Sequence, residues 1–353
     1  MERDNHFFAF KKKEPSLFII GSPFQLLCAM EAIHEFEIED YEFVLTLFPH
    51  NKRNGQLISM INDLGYQYER IDANSLTLKN LILQKKWIKT HRKYNRVFIG
   101  EFMSYEKRYL AARVAKRNAD IVFLDDGNSS IALFESGNQR KRCRLSSSLM
   151  TRQGLKQAIF DNYCVCRGLS LNKYFFSIYH DIPNDRFIVY PNTLSHLISQ
   201  SDAKIQDVVL VIGTVTEHFC RQMGISEGVF EKILQKRLEK IRIENQSSHV
   251  VYIPHGRDVN LNIPQICSQL SIEFRKISSA LEYYILKSNL YPKYVLGFNS
   301  TALLTIKKIL PRANVTNIRI DYPNAPYYIF FKDVADYYSK NGVDIELIKI
   351  DSV

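Results

Sequence analysis

The feature that most constrains the fold is a repeated alternation along the chain. A short apolar run ends in Gly, Ser, Thr or Asp, and a segment of helical spacing follows. Leu17 to Ile20 closes in Gly21-Ser22-Pro23, after which Leu27, Met30, Ile33 and His34 recur over Phe24 to Phe36 as on one helix. Ser22 supplies an N-cap and Pro23 a first-turn proline. Tyr41 to Phe48 reads as a strand, Asn51 to Gly55 as a loop and Leu57 to Leu64 as a helix. Arg96 to Gly100 is a strand and Ser104 to Arg117 a helix. Ile121 to Leu124 is a strand that runs into Asp125-Asp126-Gly127. Strands that alternate with helices predict parallel pairing through right-handed crossovers.

A second series starts near Asp207. Val208 to Ile212 reads as a strand ending in Gly213-Thr214, Val229 to Ile243 as a helix, and His249 to Ile253 as a strand ending in Pro254-His255-Gly256. Ile272 to Ile277 is a strand, Ala280 to Ser288 a helix, Tyr294 to Gly297 a strand, Ser300 to Leu310 a helix, and Asn317 to Ile320 a final strand. The 353 residues suit two domains of ordinary size. The join is expected in the Pro-, Ser- and Asp-bearing stretch from Pro191 to Asp207, giving domains 1–200 and 201–353. The basic, Ser-rich stretch from Asn128 to Arg167 reads as a long loop with helices of unassigned place.

Apolar residues make up 46% and charged residues 24%, as in a globular chain with a sizeable core. No run approaches the ~20 apolar residues of a membrane helix. Met1 to Glu14 has neither the apolar stretch nor the cleavage site of a secretory signal, so a cytoplasmic protein is expected. Cys28, Cys143, Cys164, Cys166, Cys220 and Cys267 show no framework spacing, and Cys164-Val165-Cys166 has no second pair at zinc distance. The net charge of +10 gathers in Lys11 to Lys13, Arg140 to Arg144 and Lys232 to Arg242. Such clusters are drawn to anionic lipid at about 1 kcal/mol per basic residue, so peripheral contact with the inner face of the plasma membrane is one expectation. Solvated helix faces explain each cluster as well. No nucleic-acid motif accompanies them, and no nucleic-acid partner is expected.

In open parallel sheets, ligands sit beyond the carboxyl ends of the strands. Gly21-Ser22, Asp125-Asp126-Gly127, Gly213-Thr214, His255-Gly256 and Asn299-Ser300-Thr301 all fall there. Asp125 and Asp126 point to opposite sides of the chain, so one of them can serve as a base while a convergent metal pair is disfavoured. A neighbouring like charge favours the protonated form of either. His255, fixed between Pro254 and Gly256, can donate a proton or hydrogen bond to a leaving phosphate. Ser300 and Thr301 open a helix whose N-terminal amides suit an anion, although capping alone accounts for both. Glu282 sits in a first helical turn, where it can hold a ribose diol or answer the helix dipole.

In this order the motifs resemble those of the bacterial sialyltransferases of the GT-B type. Asp125-Asp126-Gly127 is similar to that family's acidic-acidic-Gly motif, Pro254-His255-Gly256-Arg257 to its His-Pro motif, and Asn299-Ser300-Thr301 to its Ser-Ser/Thr motif. Gly21-Ser22-Pro23-Phe24-Gln25-Leu26-Leu27 looks like the opening of the lipooligosaccharide and capsule members. Gly256 departs from the family's proline, and Glu217 stands where some relatives carry an acceptor-binding aromatic.

The resemblance implies an α/β, GT-B fold of two Rossmann-like domains facing a central cleft. The first would bind the acceptor and the second CMP-sialic acid. It implies inverting transfer to a sugar hydroxyl, that of galactose first, in a glycan or glycolipid acceptor such as lipopolysaccharide, O-antigen or capsule. Asp126 would be the base, with Asp125 the other carboxylate, and His255 would assist departure of CMP. Ser300, Thr301, Asn299, Glu282, Gly213, Thr214, Gly256 and Ser22 would line the donor site, with no metal or other cofactor. Rival readings are a GT-B transferase or polymerase using another nucleotide sugar, and a basic binding protein for membrane or nucleic acid.

Overall fold

The computed structural model describes residues 13–47, 53–72, 78–102, 104–139, 174–185, 187–201 and 204–349. The basic cluster Arg140 to Arg144, Lys11, Lys12, Cys143, Cys164 and Cys166 lie outside them. The chain forms two compact units, Met1–His196 and Leu197–Val353.

The first unit holds a seven-stranded sheet of β1 (Ser16–Ile20), β2 (Tyr41–Leu47), β3 (Tyr68–Asp72), β4 (Tyr94–Gly100), β5 (Ala115–Leu124), β6 (Tyr174–Ser177) and β7 (Ile188–Pro191). The order is β3-β2-β1-β4-β5-β6-β7, every pairing parallel. The second unit holds β8 (Gln206–Ile212), β9 (His249–Ile253), β10 (Glu273–Phe274), β11 (Pro292–Gly297), β12 (Asn314–Asp321) and β13 (Asp344–Lys349). Their order is β10-β9-β8-β11-β12-β13, again all parallel. Strands buried on both faces read as unbroken apolar runs, and all five residues of β1 are buried for that reason. Each sheet steps outward from its first strand and then crosses to the first strand's other side. The crossings, β1/β4 and β8/β11, are the switch points at which such sheets bind ligands.

Aromatic side chains fill both cores. Phe18 stacks on Phe98 with ring centroids 4.4 Å apart, and Phe102, Phe123, Phe134, Phe175 and Phe187 pack together beyond β4. In the second unit Phe219 meets Phe230, Phe298 and Phe331. Each buried ring contributes on the order of 1.5–3 kcal/mol. Cys28, Cys220 and Cys267 are buried, and burial pushes the thiols of the latter two up to about 12, which keeps them inert near neutrality.

Four readings are corrected. The helix expected from Leu57 already starts at Arg53, inside the expected loop. The helix expected over Ser104 to Arg117 spans Tyr105–Val114, and Ala115 is extended and pairs with Tyr94. Lys116 to Asn118 then bulge out exposed, Asn118 at φ 62, before Asp120 rejoins β4, so small apolar residues carry a helical period past the helix end. Ile272 to Ile277 contributes only the two-residue edge strand β10. Asn317 to Ile320 is not the last strand. The helix Tyr328–Lys340 and the edge strand β13 follow, and β13 carries the charges that commonly guard an edge.

Candidate active site

Asp125 and Asp126 leave β5 in opposite directions, as alternation requires. Asp125 is fully buried and turns toward β6, where its carboxylate accepts from Ser177 Oγ at 2.7 Å and from the Ile178 amide at 2.7 Å. Burial pushes this carboxyl up to about 6. Its hydrogen bonds pull it down, and the charge of Asp126 adds to the rise. Asp126 is half-buried, and its Oδ1 accepts from Gln25 Nε2 at 2.7 Å. Gly127, at φ 71, then turns the chain into the helix Ser129–Gln139, a conformation that glycine adopts without strain.

Gln25 comes from the helix Pro23–Glu35, which follows β1. Ser22 caps that helix, its buried hydroxyl accepting from the Gln25 amide at 3.3 Å. The structure thus commits the Ser22 hydroxyl to placing the residue that holds Asp126.

In the second unit His255 lies at the carboxyl end of β9, half-buried. Its Nδ1 accepts from the Arg257 amide at 3.1 Å, so the neutral ring carries its proton on Nε2. Gly256 forms the turn that allows this, closed by the Asp258 amide on the His255 carbonyl at 2.8 Å. Asp258 in turn accepts from Thr216 N at 3.1 Å and Thr216 Oγ1 at 3.2 Å. That pairing caps the helix Thr216–Met223, whose N-cap Val215 has no side chain to do so, and ties the loop after β9 to Gly213-Thr214 after β8. Gly213 is needed because a Cβ there would stand 2.5 Å from the Tyr252 hydroxyl.

At the end of β11, Asn299 takes a left-handed φ of 50. It pairs with the fully buried Asn317, amide to Oδ1 at 2.8 Å and Asn317 Nδ2 to Asn299 Oδ1 at 3.1 Å. Ser300 occupies the N-cap of the helix Thr301–Ile309, yet its hydroxyl makes no capping bond. Ser300 and Thr301 are both half-buried. Glu282 is buried and accepts from Thr305 Oγ1 at 2.5 Å. Burial raises its carboxyl above the usual range, against the pull of that bond. Glu282 therefore ties the helix Leu281–Lys287 to the helix that Ser300 opens.

No family model and no curated protein matches the chain. Among solved structures it is similar to UDP-GlcNAc 2-epimerase from Neisseria meningitidis bound to UDP-GlcNAc. The identity is 12%, the TM-score 0.50, and the match covers 94% of this chain and 95% of the other. It is also similar to an alpha/beta-galactoside alpha-2,3-sialyltransferase from Photobacterium phosphoreum, at 11% identity and TM-score 0.48 over 97% and 100% of the two chains. The fold is of the GT-B class. At these identities the likeness extends to the fold alone.

Within this GT-B fold, Gly213-Thr214 and Asn299-Ser300-Thr301 meet at the β8/β11 crossing, with His255 one strand away. In the first unit Asp126 lies one strand beyond the β1/β4 crossing and reaches it through Gln25. Gln25, Asp258 and Asn317 were not singled out by sequence. Gln25 had a signal, a polar residue in the first helical turn directly before the apolar run Leu26 to Met30. Asp258 and Asn317 act across 42 and 18 residues of chain, which local spacing does not report. Among the described residues no group of three His, Cys, Asp or Glu side chains is placed to share a metal ion, and no helix is long and apolar enough to cross a membrane.

Proposed function

We propose that the chain is an inverting glycosyltransferase that moves sialic acid from CMP-sialic acid to a sugar hydroxyl, that of galactose in a bacterial surface glycan being the first candidate. The carrying observation is that the three motifs resembling the sialyltransferases fall at carboxyl strand ends on or beside the switch points of two Rossmann-like sheets. In this reading the second unit holds the donor. The Ser300 and Thr301 hydroxyls take the phosphate, and Nε2–H of His255 donates to the same phosphate as charge gathers on it. Asp126 takes the proton of the acceptor hydroxyl while that oxygen bonds to the anomeric carbon. The bond from that carbon to the phosphate oxygen breaks, and CMP leaves with the electron pair. The transition state is oxocarbenium-like, as in glycoside chemistry.

A monophosphate leaving group has less charge to neutralise than a pyrophosphate, so amides, hydroxyls and His255 take the place of a metal. Glu282, enclosed with Thr305, shapes the start of the donor helix in this account, with its ribose role secondary. The test is incubation with CMP-sialic acid and a panel of galactosides, read by mass spectrometry, with UDP sugars in parallel. A product heavier by one sialyl residue is expected from the CMP donor alone. Transfer from UDP sugars only would overturn the choice of donor.

A further inference from the structure

Behind Asp126 lies a buried ammonium that the sequence motifs do not include. Lys107, on the helix Tyr105–Val114 after β4, is 1% exposed. Its Nζ donates to Gln25 Oε1 at 3.0 Å and to the Gly100 carbonyl at 2.9 Å, and stands 3.5 Å from the Glu101 carboxylate. Two hydrogen bonds and an ion pair thus answer the ammonium, which is what allows a charge to be enclosed. Glu101 holds its place at φ 76, a left-handed conformation that is uncommon for a residue with a side chain.

The geometry points to Lys107 and Gln25 as positioning residues for Asp126, an inference that rests on the reading of Asp126 as the base. Gln25 Oε1 receives two donors, the Gly21 amide at 2.8 Å and Lys107 Nζ at 3.0 Å. With the oxygen so occupied, the amide has one orientation, and its Nε2 must face Asp126 Oδ1 at 2.7 Å. Without Lys107 the Gly21 amide alone holds that oxygen, and the Gln25 side chain that faces Asp126 is less firmly fixed. The end of β4 is cut to fit this pair, because a Cβ at Gly100 would collide with the Gln25 side chain. A Cβ at Gly21 would crowd Thr46 O and Oγ1 at 3.0 Å and Lys107 Nζ at 3.1 Å. An apolar side chain would fill the same space more cheaply than a lysine, so the ammonium is there for what it holds.

The test joins kinetics with a spectroscopic readout that needs no substrate. Gln25→Met and Lys107→Met should each lower kcat ~10- to 100-fold, the weight of one hydrogen bond to a charged group, and leave CMP affinity unchanged. The double variant should be no slower than the worse single one, because both break the same relay. In the substrate-free chain, Lys107→Met and Asp126→Asn should each shift the side-chain amide proton resonances of Gln25 and quicken their exchange with water. Losses that multiply in the double variant, or a Gln25 amide unmoved by Lys107→Met, overturn the relay. Should Lys107→Met fail to fold, Gln25→Met decides: kcat within about twofold of wild type refutes it, being far below one such bond. A wild-type chain that transfers no sialic acid, or an Asp126→Asn variant that keeps its rate, refutes the proposed function instead. The Gln25 amide of Asp126→Asn then still decides whether the carboxylate is held.

Discussion

The two switch points share a topology and differ in what fills them. At β1/β4 the protein's own side chains close the site, with Gln25 and Lys107 taking up the Gly21 amide and the Gly100 carbonyl. At β8/β11 the strand ends carry Gly213, Thr214, Asn299 and Ser300, and the Ser300 hydroxyl is not spent on its own helix. A helix N-terminus attracts anions only where its donors are not already answered. Under the proposed function the second crossing would receive a phosphate, and the first would hold a carboxylate for proton transfer.

The hardest blow to this contrast should be Asp126→Asn. The change keeps the shape and removes the proton acceptor, so transfer should fall ~100- to 10,000-fold while CMP binding stays near normal. Steady-state rates with calorimetry on the same sample check both halves. A rate above about a tenth of wild type lies outside what loss of a general base gives, and would move the base elsewhere.

The second crossing answers to the opposite pattern. Ser300→Ala with Thr301→Ala removes two hydroxyls expected to meet phosphate in the ground state as well as the transition state. At ~1.5 kcal/mol or more for each bond to a charged group, CMP affinity should weaken on the order of 100-fold, and KM should carry most of the change. Unchanged affinity by calorimetry would leave Ser300 as a plain helix start and remove the asymmetry between the crossings.

The parallel sheets were legible because their central strands are short apolar runs with turn residues at fixed places. Leu17 to Ile20 and Val208 to Ile212 announce themselves. The segments that stayed hidden are marginal or polar. They are β3 with Glu69 and Arg70, the edge strand β13 with alternating charge, and the short strands β6 and β7, four residues each. The acidic pair and Ser300-Thr301 were readable as motifs at strand ends. Their partners were not, since Gln25 reaches Asp126 across 101 residues and Lys107 reaches Gln25 across 82. A buried lysine reads on paper like any exposed helical one until the helix packs.

The smallest expected effect separates the two adjacent carboxylates. Asp125 titrates near 6 in the fold against an ordinary value of about 3.9 when unfolded, so the folded chain binds the extra proton between those limits. Its enclosed charge therefore costs stability above pH 6, and the cost is relieved as pH falls toward 4. Asparagine resembles the protonated acid. Its carbonyl can keep the Ile178 amide, and its NH2 can donate to Ser177 Oγ if that hydroxyl rotates. Asp125→Asn should accordingly be more stable than wild type at pH 7, by roughly 3 kcal/mol, with most of the advantage gone near pH 4. Urea midpoints of both proteins from pH 4 to pH 7 measure it, and transfer should survive the change. A variant less stable at pH 7, or one as inactive as Asp126→Asn, would mean that the Asp125 charge itself is required, and the division of labour within the pair would have to be reversed.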